Sequence, residues 1–134
     1  MKTQNAISLV LRIGIAVIFL QTLYFKFTAH PDSVYIFTQL GVEPFGRIGL
    51  GIAELITLVL ILIPRTKIIG IGLSFGIILG AIFSHLLVIG TEIKGDSGGL
   101  FTLALVVFSA CLALFFLHRK EVQELIGNFL KKMS

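Results

Sequence analysis

The sequence predicts an all-α membrane protein: a bundle of four transmembrane helices, with a short outer-loop helix and a C-terminal amphipathic helix. Three observations predict it. Hydrophobic residues make up 56% of the 134 residues and charged residues only 13%, about half the charged share of a soluble domain. Four apolar segments approach or exceed the length that crosses a hydrocarbon core of about 30 Å at 1.5 Å per helical residue. The basic residues lie between those segments rather than in one patch, so the net charge of +4 follows membrane topology and not nucleic-acid binding. Residues 1–118 are expected to form the transmembrane domain and 119–134 a basic amphipathic tail.

The first segment runs from about Ala6 to Phe27 and contains Arg12. An arginine near a helix centre costs about 2.5–3.5 kcal/mol, while each Leu, Ile, Val or Phe returns about 0.3–0.6 kcal/mol. The segment holds thirteen of those residues, so insertion wins. Arg12 is expected to snorkel towards the near interface. The apolar run is too long for a cleaved leader, and no small-x-small site ends it.

The second segment, about Ile48–Ile63, is short and can borrow Phe45 and Gly46. Pro64-Arg65-Thr66-Lys67 reads as a tight turn into the third segment, about Ile68–Gly90. The fourth runs from about Gly99 to Leu117. Between the first two, Pro31-Asp32-Ser33 is a helix start and Gly41 with Pro44 a stop, placing a short helix over Ser33–Leu40. Beyond Arg119, the residues Val122, Leu125, Ile126, Phe129, Leu130 and Met133 recur at steps of 3 and 4. That spacing marks an amphipathic helix on the membrane surface, although a partner-binding helix would share the pattern.

Four spans put both termini on one side with Lys2, Arg65, Lys67, Arg119, Lys120, Lys131 and Lys132. The other side has Lys26, Arg47 and Lys94. The positive-inside rule then places the termini in the cytoplasm and the chain in the inner membrane.

The single cysteine, Cys111, lies in an apolar run, which excludes an internal disulfide or a CxxC relay. His30, His85 and His118 are far apart in sequence and assigned to different depths or sides, so no metal is expected. No phosphate-binding loop occurs in a suitable context. In the third segment Gly72, Gly76, Gly80 and Ser84 fall four apart. Small residues at that spacing let helices approach closely, so the ladder is expected to pack inside the monomer, with a homodimer face as the alternative.

Polar residues inside a membrane mark functional positions by default. Here they are Arg12, Gln21, Lys26, Glu54 and His85. Lys26 sits at the outer end of the first span, Gln21 slightly deeper, and His85 near the outer end of the third. Glu54 lies roughly 9–12 Å below the outer surface at 1.5 Å per residue. Four of the five therefore converge on the outer half of the bundle. Arg12, Phe19 and Lys26 recur every seven residues and share a face. If that face points inward, Lys26 can approach Glu54 and His85, while Arg12 serves the cytoplasmic end. Gln21, Lys26, Glu54 and His85 are the candidate ligand-binding set. A purely structural network that fixes helix register is the competing reading.

Several stretches resemble one family. They are Lys26-Phe27-Thr28-Ala29-His30-Pro31, Phe37 through Leu40-Gly41-Val42, Gly51-Ile52-Ala53-Glu54-Leu55, Leu62-Ile63-Pro64-Arg65, and the opening Leu11-Arg12-Ile13-Gly14 through Phe19. They resemble DoxX-like membrane proteins over residues 6–117. The resemblance implies a four-helix membrane fold with Arg12, Lys26, Glu54 and His85 as polar positions. The family takes its name from a subunit of a thiosulfate:quinone oxidoreductase, and relatives serve membrane redox complexes or assist receptor assembly. Thiosulfate oxidation is not expected here, because the chain has one cysteine and no evident cofactor ligands.

Two functions follow as expectations. One is a small accessory or assembly subunit of a membrane complex, quinone-linked or otherwise, acting on a membrane protein partner. The other is a membrane-embedded binder, enzyme or transporter of a quinone, lipid or small solute, acting through Lys26, Glu54 and His85. If it is an enzyme, the resemblance makes it a component of a quinone-linked oxidoreductase.

Overall fold

Each long helix buries a single stripe, and Arg12, Arg47 and Glu54 lie on it. In α1 (Lys2–Phe27) the buried positions are Ser8, Arg12, Ile15, Ala16, Phe19 and Leu23. In α3 (Phe45–Leu62) they are Arg47, Gly51, Glu54, Thr57 and Ile61. Steps of 3 and 4 keep these residues on one face. The opposite faces carry large apolar side chains in the open, among them Val10, Leu20, Tyr24, Ile52 and Ile56. Water does not tolerate apolar surface on that scale, whereas lipid does. Four helices are long and apolar enough to cross a membrane.

This computed structural model describes residues 2–93, 95–96 and 98–134. Lys94 and the side chain of Lys2, both used above to orient the chain, lie outside the described residues. The remaining elements are α2 (Pro31–Gln39), α4 (Lys67–Ser84), a π-helical turn at His85–Ile89 that prolongs α4, α5 (Gly99–Leu117) and α6 (Arg119–Met133). The expected all-α architecture, with its outer-loop helix and amphipathic tail, is what forms. Helices α1, α3, α4 and α5 make a ring in that order, each packed on the next, and α5 closes on α1. The short α2 lies across the far end, against α1, α3 and the π turn.

Antiparallel α1 and α3 are tied reciprocally at both ends. The last four carbonyls of a helix have no partner within it. Arg12 of α1 donates from Nη1 to the Ile61 carbonyl near the end of α3, at 3.0 Å. Arg47 of α3 donates from Nη1 to the Lys26 carbonyl at the end of α1. Each guanidinium also faces the negative end of the other helix's dipole. Arg12 is only 6% exposed, so it does not snorkel as expected. An acceptor within reach inside the bundle outcompetes the interface.

The glycine ladder also departs from expectation. The buried stripe of α4 is Gly70, Ile71, Ser74 and Ile78, two residues out of register with Gly72, Gly76 and Gly80. Close packing against α3 falls to Gly70, where a Cβ would stand 2.5 Å from the Ile61 backbone. A Cβ on Gly72, Gly76 or Gly80 would meet no atom within 4 Å. Within the chain the ladder lines a groove rather than packing on a neighbouring helix.

Candidate functional site

Glu54 is placed by the buried stripe of α3 and is 4% exposed. Isolated in that setting a carboxylate would be costly. Two groups from α1 compensate it. The Lys26 ammonium lies 3.0 Å from Oε1, and the Thr22 hydroxyl, also near the Phe19 carbonyl, donates to Oε2 at 2.9 Å. Lys26 and Thr22 are one turn apart on the face that also holds Phe19. This is the inward face expected from the seven-residue recurrence.

His85 stands where α4 passes into the π turn and is 6% exposed. Its Nδ1 is 2.9 Å from the Gly90 carbonyl. A carbonyl only accepts, so Nδ1 carries the proton. Gly90, at φ +80°, ends the turn in a conformation that favours glycine. Phe101 on α5 makes a T-shaped contact with the ring, centroid to centroid 5.4 Å.

Lys26, Thr22, Glu54 and His85 all line one cavity of about 870 Å³. The ladder Gly72, Gly76, Gly80 and Ser84 forms one wall, over roughly 18 Å of helix at 1.5 Å per residue. The roof is α2, through Ser33, Ile36 and Phe37. His30 lines the cavity too. Its Nδ1 accepts from the Asp32 amide at 3.2 Å as the N-cap of α2, which leaves Nε2 as the donor in the neutral ring. His30 and His85 thus meet one cavity, although their separation in sequence suggested otherwise. Among the described residues no group of three or more His, Cys, Asp or Glu could hold a metal ion.

Gln21 does not join the site. It is exposed on the outer face of α1, and Thr22 takes the position expected of it. The signal was available: Thr22 is four residues before Lys26, one turn, whereas Gln21 is five before and turned roughly 140° away. His30 carried a signal as well, standing directly before the Pro31 that starts a helix.

At the mouth of α5, Asp96 receives the backbone amides of Ile93 at 2.9 Å, Gly98 at 2.8 Å and Leu100 at 3.2 Å. Burial works to raise its carboxyl, but these bonds and the nearby Gly99 amide outweigh it and hold it below the usual carboxylate range. Its charge is spent on the backbone.

A second polar centre lies at the end of the bundle that bears the termini. Ser8 Oγ is 2.7 Å from His118 Nε2 and accepts from Arg12 Nε at 3.2 Å. His118 Nδ1 is 3.1 Å from Glu121, which also lies 3.6 Å from the Lys67 ammonium. The arrangement fastens α6 to α1 and α4. With Ser8 only 1% exposed, no substrate reaches it, and its role is structural. Sequence reading passed over it because its members are up to 110 residues apart.

A family model described as DoxX-like matches residues 10–112, most of the ring and none of α6. No curated protein and no solved structure matches the chain.

Proposed function

This chain belongs to the DoxX-like family, and from that footing we propose that it is a membrane-embedded binding protein for an amphiphile of the quinone or lipid class. The reading rests on one observation. A cavity of about 870 Å³ has charged and hydrogen-bonding groups at one end and a glycine-floored apolar groove along α4. Ligand cavities commonly pair apolar walls with a few placed polar groups. The head of the amphiphile would meet Lys26, Thr22, His30 and His85, and its tail would lie along Gly72, Gly76 and Gly80. Transport across the membrane is less favoured. Arg12 and Thr22 are roughly 15 Å apart along α1, and between them the interior carries no charged side chain among the described residues. Ile15, Phe19, Ile61, Ile71 and Val107 are buried there, and the buried Thr57 and Ser74 hydroxyls donate to carbonyls of their own helices.

Native mass spectrometry of protein extracted in mild detergent tests the reading. A retained small molecule is expected on the native chain and lost from Gly76→Leu/Gly80→Leu, which adds bulk to the groove at positions where a Cβ stands clear of its neighbours. A retained protein partner with no small molecule would instead favour the accessory or assembly role. Glu54→Gln separates ligand binding from a register-fixing network: loss of ligand from a folded protein supports binding, and collapse of thermal stability with no ligand ever seen supports the network.

We also propose that the termini are cytoplasmic and the membrane is the inner one. The end that bears the termini carries Arg65, Lys67, Arg119, Lys120, Lys131 and Lys132, and α6 turns Ile126, Phe129 and Met133 outward beside those charges. A reporter active only in the periplasm, fused after Ser134, should stay silent; activity there reverses the orientation.

A further inference from the structure

His85 has one nitrogen to spare. Its Nδ1–H is committed to the Gly90 carbonyl, so in the neutral ring Nε2 is an acceptor and cannot donate. No described residue hydrogen-bonds Nε2, although the side chain is 94% buried (6% exposed) and lines the cavity. The ring cannot readily turn to change this. The bond to the Gly90 carbonyl and the T-shaped contact with Phe101 hold the ring in this orientation. An acceptor facing the cavity without a protein donor is served only by what occupies the cavity.

The charges around the cavity narrow what that donor can be. Lys26 and Glu54 neutralise each other at 3.0 Å. Asp96 lines the same cavity with its charge already committed to backbone amides. Arg47 is turned away to Glu43, at 2.8 Å, and to the Lys26 carbonyl. Among the described residues the cation that lines the cavity, Lys26, is already paired with Glu54, so an anionic headgroup would have to compete with that carboxylate.

Resting on the binding role proposed above, we propose that the cavity selects neutral, hydroxyl-bearing amphiphiles, and that His85 Nε2 is the acceptor that reads the hydroxyl. A quinol or a long-chain alcohol fits this chemistry. The same molecule with its oxygen capped does not, because an ether cannot donate. Lys26 retains protons beyond the one directed at Glu54 and supplies a donor to the headgroup's own oxygen.

The test is a titration of the full chain in neutral detergent, read by native mass spectrometry. The probes are a long-chain primary alcohol, its methyl ether of equal chain length, and a phosphatidic acid. The alcohol is expected to bind on the order of tenfold tighter than the ether, the cost of leaving one buried acceptor unpaired. Phosphatidic acid should bind more weakly than the alcohol. His85→Phe keeps an aromatic ring against Phe101, and it should bring the alcohol down to the ether's affinity. Equal binding of alcohol and ether to the native chain overturns the role of His85 while leaving amphiphile binding intact. Preferential capture of phosphatidic acid overturns the neutral-ligand assignment. Failure of every probe to bind defeats both this assignment and the binding role beneath it. The native comparison decides the matter even if the Phe variant does not fold.

Discussion

A buried ion pair is informative chiefly when one half is removed. Lys26 and Glu54 compensate each other inside the ring, so either alone leaves a charge or a forced neutral group without its partner. Lys26→Met and Glu54→Leu are each expected to lower stability by about 2–3 kcal/mol. The double variant should cost less than the sum of the two by at least about 1 kcal/mol, measured by reversible unfolding in mixed micelles. Strict additivity would mean the two side chains do not interact. Lys26, Glu54 and His85 were all legible as intramembrane polar residues. The seven-residue recurrence of Arg12, Phe19 and Lys26 also gave the inward face of α1. Gln21 was misread because its depth was considered without its angle. The burial of Arg12 was not legible because its acceptor on α3, the Ile61 carbonyl, comes from tertiary packing; Ser8, one turn earlier on α1, was within reach of spacing and was passed over.

At the scale of the helix, two glycines on α4 that look alike in sequence have opposite roles. A methyl on Gly70 would strike the Ile61 backbone, whereas a methyl on Gly72 would meet nothing. Gly70→Ala must push α3 and α4 apart and should destabilise by about 1–3 kcal/mol. Gly72→Ala should be neutral, or stabilising by up to about 1 kcal/mol from helix propensity. Thermal unfolding of the two purified variants checks the contrast, and equal effects would contradict the groove. The four spans, α2 and α6 were each readable, because apolar length and the 3–4 recurrence are local signals. The π turn at His85–Ile89 carried no such signal. Nor did the destination of the glycine ladder: small residues permit close approach and also permit an open groove, and only the placement of α3 and α5 decides between them.

Taken whole, the molecule has charged groups at both ends of its interior. Between them, among the described residues, lie apolar side chains with only the self-satisfied hydroxyls of Thr57 and Ser74. The end bearing the termini is closed by Ser8, Arg12, His118 and Glu121, which hold α6 to the ring. At the far end the cavity beneath α2 gathers Lys26, Glu54, His30 and His85. That asymmetry suits a protein that receives an amphiphile on one side of the membrane and keeps the other side sealed. The most direct measurement is a crystallographic map of the chain grown from lipid. Elongated density along Gly72, Gly76 and Gly80, ending within hydrogen-bond reach of Lys26 or His85, is the predicted result. A groove filled by a helix of a second copy, with no small molecule beside Glu54, would contradict it.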